Sequence, residues 1–109
     1  PLIAHDAVRK VIFTGRYETG RRIAELCGAH FRPCVLELGG RGAAIVCADA
    51  DIHLAAKGIT WSAFHAERQS CIGTRRAYVH QEVWPTFVQA LQDEVGRLSV
   101  GDPSTPRLT

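Results

Sequence analysis

Apolar positions in the first third of the chain change from a short run to helical spacing. Val11 to Thr14 predict a strand that ends at Gly15, and a helix follows to about Cys27. Residues three and four apart predict one buried helix face, made of Ile23, Leu26, Cys27 and His30. A strand, a glycine and a helix start can direct backbone N–H groups at a phosphate. An ordinary strand-to-helix turn explains the same spacing.

The middle of the chain repeats this alternation. CVLELGG, residues 34–40, predicts an apolar strand that is interrupted by Glu37 and closed by two glycines. A second short strand, AAIVC, ends before Asp49 and Asp51, either of which could cap the next helix. That helix runs to about Phe64, and its predicted buried stripe consists of Ile52, Ala55, Ala56, Ile59 and Ala63.

The last third predicts one more strand and one more helix. After Cys71, a turn at Gly73 leads into the strand AYVH, and a helix extends from about Glu82 to Leu98. Pro85 is compatible with the first turn of that helix. Its apolar face is predicted to comprise Phe87, Val88, Leu91, Val95 and Leu98. Predicted strands and helices thus alternate along the chain.

Composition narrows the class of protein. A chain of 109 residues, 46% hydrophobic and 22% charged, is typical of a globular unit or a piece of one. The four cysteines, at 27, 34, 47 and 71, match neither a zinc motif nor a disulfide framework, so we expect no metal and reduced thiols in a cytoplasmic protein. A net charge of +2 gives little support to nucleic-acid binding, and no apolar run is long enough for a membrane span. The start at Pro1, without Met, suggests a fragment.

Two residues are candidates for chemistry. Cys71 stands among small and polar neighbours in ERQSCIGTRR instead of in an apolar run, as a nucleophile would. Glu37 either is buried in its apolar strand, which suits a general base, or lies on the exposed face by simple alternation. Ser62 and His65 lack a placed acid and an oxyanion donor, so we do not expect a catalytic triad.

Several motifs in one order resemble the aldehyde dehydrogenase superfamily. They are FTG, ETGRRI, LELGGRGAAIV, DAD, QSC and TRR. Cys71 follows Glu37 by 34 residues, which is similar to the spacing in that family. The resemblance covers essentially the whole chain. It implies an α/β fragment of a three-domain fold, in which residues 1–40 end a Rossmann-like cofactor-binding domain and residues 41–109 begin the catalytic domain.

The resemblance also implies roles for individual residues. Cys71 would attack an aldehyde carbonyl, and Glu37 would activate the thiol and the hydrolytic water. The backbone N–H of Cys71 would be one oxyanion donor, and the second, an asparagine, is not in this chain. NAD or NADP would be bound near Gly15, Arg16, Gly20 and Leu38. The intact protein would oxidise a small-molecule aldehyde as a homo-oligomer.

Four residues depart from the family pattern, and Arg41, in place of the usual lysine, is the mildest of these changes. Arg16 and Tyr17 replace small hydroxyl residues near the cofactor, and Arg68 replaces a glycine three residues before Cys71. Arg16 could instead offer its guanidinium to a phosphate. An inactive relic or an interaction module of the same family is therefore the alternative function. A thiol-dependent hydrolase or acyltransferase that pairs Cys71 with a histidine is a more distant one.

Overall fold

A computed structural model describes residues 2–102 and residue 104. Strands and helices alternate as the apolar pattern predicts. They are β1 (Val11–Gly15), α1 (Tyr17–Ala29), β2 (Cys34–Leu38), β3 (Gly42–Val46), α2 (Ile52–Phe64), β4 (Thr74–Val79) and α3 (Trp84–Gly96). Short 3-10 turns occupy residues 2–4, 65–68 and 81–83. The α/β fold class is confirmed.

Two boundaries in the last third differ from the prediction. β4 begins at Thr74, before the predicted AYVH, because its polar first residues pair with β3 through their backbone. α3 begins at Trp84 with Pro85 in its first turn, since residues 81–83 form a separate 3-10 turn. Leu98 lies beyond the end of α3 and is exposed, so its predicted place on the buried face is wrong.

The strands form two separate parallel pairs. β1 pairs with β2 and β3 pairs with β4, and each pair is connected through a helix, as parallel strands require. We call residues 2–38 the first unit and residues 42–102 the second unit. The radius of gyration is 20.0 Å, whereas a compact domain of this length has about 13 Å. The two units are therefore not packed into one globule.

In the first unit, α1 covers one face of the β1–β2 pair. Phe13, Leu36 and Leu38 are half-buried on that face, and Cys27 of α1 is buried, with 1% of its surface exposed. The prediction that Leu26 and His30 share the buried face of α1 is wrong, because both are exposed. Two short strands are too narrow to cover the whole predicted stripe.

In the second unit, α2 packs against both the sheet and α3. The buried core residues come from β3, α2 and α3, and they are Val46, Ala56, Phe87 and Ala90. Thr60 of α2 is also buried, and its Oγ1 has no hydrogen-bond partner in the described part of the chain. α2 is therefore the central element of this unit.

The other face of each strand pair is bare and apolar. Ile12 is 71% exposed beside its register partner Val35, and Ile45 is 76% exposed beside its register partner Tyr78. Parallel sheets in folded proteins are usually covered on both faces. The described residues supply only one covering layer for each unit. No helix among them is long and apolar enough to cross a membrane.

The start of α2 resolves the choice between two capping residues. Asp51 is the N-cap, and its Oδ1 accepts a hydrogen bond of 3.0 Å from the backbone N–H of Leu54. Asp49 lies two residues earlier and is exposed. The carboxylate of Asp51 thus satisfies one of the N–H groups that a helix start leaves unpaired.

We expect Asp51→Ala to lower the free energy of unfolding by about 1 kcal/mol, because the helix loses its capping acceptor. Asp49→Ala is the matched control, since it removes an exposed carboxylate two residues away that caps nothing, and it should change stability by less than about 0.5 kcal/mol. Urea denaturation of both variants measures the difference. Equal losses would contradict the assignment of Asp51 as the cap.

Candidate active site

Cys71 occupies a tight turn between the end of α2 and β4. The N–H of Gly73 donates to the carbonyl oxygen of Ser70 at 3.4 Å, which closes a four-residue turn with Cys71 in its second position. The Cys71 thiol is exposed. Its backbone N–H makes no hydrogen bond to any residue that the structure describes. The thiol is therefore accessible to a ligand.

The glycines after β2 lie directly against this turn. A Cβ on Gly40 would be 2.7 Å from the carbonyl oxygen of Cys71, and a Cβ on Gly42 would be 2.8 Å from that of Gly73. Real Cβ atoms essentially never come closer than 3.0 Å to such an atom. Only glycine allows the two backbones to approach this closely. The ELGG and QSC motifs are therefore in contact in the folded structure.

Glu37 lies near the carboxyl end of β2, beside Thr14 of β1. Strand alternation turns it to the bare face, where it is exposed, so the second of the two sequence interpretations holds within the described chain. Gly40 is three residues further on, and three residues span at most about 11 Å. Gly40 contacts the Cys71 turn. Glu37 is therefore connected to that turn by a segment of only three residues.

The four candidate cofactor-binding residues gather at the carboxyl edge of the first unit. Gly15 and Leu38 are register partners at the ends of β1 and β2. A Cβ on Gly20 would be 2.5 Å from Cδ2 of Leu38, so this glycine lets α1 pack closely on β2. Arg16 is the N-cap of α1, and its side chain makes no capping hydrogen bond. The first N–H groups of α1 therefore have no side-chain acceptor from their cap.

The bulky residues at this helix start leave the local fold intact. Arg16 and Tyr17 are both exposed, and α1 begins at Tyr17 directly after the strand. Their side chains stand in the solvent beside the carboxyl edge of the sheet. Arg16 places a cation next to the positive end of a helix, a combination that attracts anions.

Arg68 has the left-handed backbone conformation that favours glycine. Its φ is 64°, which a side chain disfavours. Two contacts accompany this conformation. The guanidinium of Arg75 donates to the Arg68 carbonyl oxygen at 2.6 Å, and Cζ of Arg68 lies 5.9 Å from the centre of the Phe64 ring. The departure from glycine at this position thus places a side chain where backbone strain is expected.

Ser62 forms hydrogen bonds that sequence analysis missed. Its Oγ accepts from the backbone N–H of Thr74 at 3.1 Å and from Thr74 Oγ1 at 2.9 Å. The ring of His65 is instead stacked on Trp61, with centroids 4.5 Å apart. Ser62 and His65 are therefore not a nucleophile and base pair. No motif links Ser62 to a threonine twelve residues later, so no sequence signal could have shown the contact.

The remaining thiols differ in exposure. Burial raises the pKa of the Cys27 thiol, and the neighbouring Cys34 raises it further. Cys47 lies one residue beyond β3 and is exposed, so its predicted place inside an apolar strand is wrong. Within residues 2–102 and 104, no group of three or more His, Cys, Asp or Glu side chains is arranged to hold a metal ion.

Comparison with known proteins shows which protein family the chain resembles. The sequence profile of the aldehyde dehydrogenase family matches residues 1–109. The vanillin dehydrogenase of Pseudomonas fluorescens is 40% identical over 105 residues, which are 96% of this chain and 22% of that protein. The solved structure of a salicylaldehyde dehydrogenase from Pseudomonas putida G7, complexed with salicylaldehyde, matches with a TM-score of 0.89 and 38% identity, covering 94% of this chain and 21% of that one.

A third likeness is to the NADP-dependent glyceraldehyde-3-phosphate dehydrogenase from Bacillus halodurans C-125 complexed with NADP. Its TM-score is 0.86 at 39% identity, covering 94% of this chain and 21% of that one. The two units therefore form an α/β segment of the aldehyde dehydrogenase fold. The chain belongs to the aldehyde dehydrogenase family. It spans about a fifth of the length of the relatives that it matches.

We expect Gly40→Ala to lower the free energy of unfolding by about 1–3 kcal/mol, because the new methyl group overlaps the carbonyl oxygen of Cys71. Gly39→Ala is the matched control. A Cβ there meets nothing within 4 Å, so that variant should be nearly neutral. Chemical denaturation compares the two, and a Gly40 variant as stable as the Gly39 variant would disprove the close approach.

Proposed function

We propose that this chain is the central segment of a full-length enzyme that oxidises an aldehyde to a carboxylic acid with NAD or NADP. The observation that carries the proposal is the contact between Gly40 and the Cys71 turn. It joins a candidate base and a candidate nucleophile that are distant in sequence. Membership of the aldehyde dehydrogenase family supports the same reaction.

In the proposed reaction, Cys71 is the nucleophile. Its sulfur, as the thiolate, adds to the aldehyde carbon and forms a C–S bond, while the carbonyl electrons move to the oxygen. The backbone N–H of Cys71, which has no hydrogen-bond partner among the described residues, would donate to that oxyanion. When bound, the nicotinamide cofactor accepts the hydride that leaves this carbon. Cys71 then carries the acyl group as a thioester.

Glu37 is the proposed general base. It takes the proton from the Cys71 thiol, releases it to solvent, and later takes a second proton from a water molecule that attacks the thioester. The acid is released and the thiolate of Cys71 is restored. The contact of Gly40, three residues after Glu37, with the Cys71 turn supports this role, because it keeps the carboxylate and the thiol in neighbouring segments.

The carboxyl edge of the first unit is the proposed cofactor site. The uncapped N-terminus of α1 and the guanidinium of Arg16 are suited to the pyrophosphate. Gly20 keeps α1 close to β2, so Leu38 lies beside the same edge as Gly15. On this proposal, residues 1–40 complete the cofactor-binding domain and residues 41–109 begin the catalytic domain. The full-length enzyme is a homo-oligomer.

An inactive member of the family is the second candidate. The strained φ of Arg68, three residues before the nucleophile, favours it. A catalytic turn held by a strained neighbour could be displaced from the geometry that the reaction needs. This alternative keeps the fold and removes the activity.

Absorbance of the reduced nicotinamide tests the reaction in the full-length protein, with a panel that includes vanillin, benzaldehyde and aliphatic aldehydes. We expect Cys71→Ala to abolish the signal and Glu37→Gln to lower kcat at least 100-fold, because general base catalysis typically contributes about that factor or more. Cys47→Ser is the control, since Cys47 is also exposed and has no proposed role. Turnover that persists in Cys71→Ala would disprove the nucleophile.

The double variant Arg16→Ser with Arg68→Gly distinguishes a working enzyme from an inactive member of the family. In a working enzyme we expect the cofactor KM to rise at least fivefold, since a phosphate contact is lost, while kcat changes less than threefold. In a decayed enzyme the same change should raise NAD(P)H formation at least tenfold, which is about 1.4 kcal/mol of recovered transition-state stabilisation. That increase would overturn the proposal that the protein is a working enzyme.

A further inference from the structure

Two hydroxyl side chains connect α2 to the first residue of β4. Ser62 lies in the last turn of α2, and its Oγ accepts hydrogen bonds from both the backbone N–H and the Oγ1 of Thr74. The distances are 3.1 and 2.9 Å, and both residues are half-buried. We call this pair of hydrogen bonds the Ser62–Thr74 clasp. It lies three residues from Cys71.

The clasp fixes the downstream end of the Cys71 turn. Thr74 follows Gly73 directly, and the Gly73 N–H closes the turn on Ser70. The carbonyl oxygen of Ser62 is only 3.1 Å from the position that a Cβ on Gly73 would occupy. Ser62 therefore contacts two successive residues of the segment that carries the nucleophile, once through its backbone and once through its side chain.

The β-ladder alone leaves this end of β4 loosely specified. Gly42 pairs with Thr74, but the next residue, Ala43, pairs with Arg76, so Arg75 has no partner in the register. Such a bulge interrupts the regular ladder and bends the strand. Because of it, the position of Thr74 depends on contacts outside the sheet. The clasp supplies two such contacts from a helix in the centre of the second unit.

We propose that Ser62 is a positioning residue that holds the Cys71 sulfur in line with the aldehyde carbon by fixing Thr74. The proposal rests on the proposed function of Cys71. Reaction rates fall steeply when a nucleophile moves by a fraction of an ångström to an ångström, so a loosened turn should be visible in kcat. Substrate and cofactor binding, which use other residues, should change little.

A purely structural hydrogen bond would give a different result. It would lower stability without a selective effect on the chemical step. Thr60 provides a matched control on the same helix, because its Oγ1 is buried without a hydrogen-bond partner in the described chain. Thr60→Val removes a hydroxyl group from α2 that holds nothing, and replaces it with an apolar group of the same shape.

The experiment uses four variants of the full-length enzyme. Ser62→Ala removes the acceptor, Ser62→Thr restores a hydroxyl, Thr60→Val is the control, and Cys71→Ala tests the nucleophile itself. The measurements are kcat and KM for vanillin, the cofactor Kd, and hydrogen exchange of the amides in residues 70–74. In Ser62→Ala we expect kcat to fall about tenfold, the cofactor Kd to stay within twofold, and the Thr74 amide to exchange at least tenfold faster.

Partial or full recovery of kcat in Ser62→Thr, together with an unchanged Thr60→Val, would support a positioning role. The proposal is overturned if kcat in Ser62→Ala stays within twofold of the wild type, whether or not the amide exchange changes. It is also overturned if kcat falls equally in Thr60→Val. Failure of the proposed function looks different, because the wild type is then inactive or Cys71→Ala retains activity.

Discussion

The close approach of two backbones, after β2 and around Cys71, is the constraint on which the rest of the site depends. Gly40 and Gly42 have no room for a side chain, since carbonyl oxygens of the Cys71 turn occupy that space. The Gly40 contact holds the segment that follows β2 against a turn of the second unit that is distant in the sequence. Without it, a carboxylate from the first unit and a thiol from the second unit would have no fixed relation.

The two units contribute different chemical groups to the region around Gly40 and Cys71. The first unit ends in a sheet edge with an uncapped helix start, which is suited to an anionic cofactor. The second unit presents a thiol on a turn that is fastened to α2 and to β4. A chain of three residues, Gly39 to Arg41, is the only covalent connection between them. Two of these three residues are glycines, which have no side chain to pack against either unit.

The sequence predicted the order of strands and helices well, because apolar spacing reports which side of each element packs. It failed where exposure depends on neighbours distant in the sequence. Leu26 and Cys47 are apolar yet exposed, since the described chain has nothing to cover them. The choice between Asp49 and Asp51 needed the geometry of one hydrogen bond. The Ser62–Thr74 contact joins residues on different elements, which local patterns do not report.

The bare faces of the two strand pairs expose apolar surface while the chain is being synthesised and folded. Ile12 with Val35, and Ile45 with Tyr78, form apolar strips beside unpaired strand edges. Until another layer covers them, these strips resemble the surfaces through which partly synthesised polypeptides stick to one another. Glu37 shares the first strip, so the layer that covers it also sets the electrostatic surroundings of the carboxylate. Covering the first strip would then complete the packing of that sheet face and change the surroundings of Glu37 in one step.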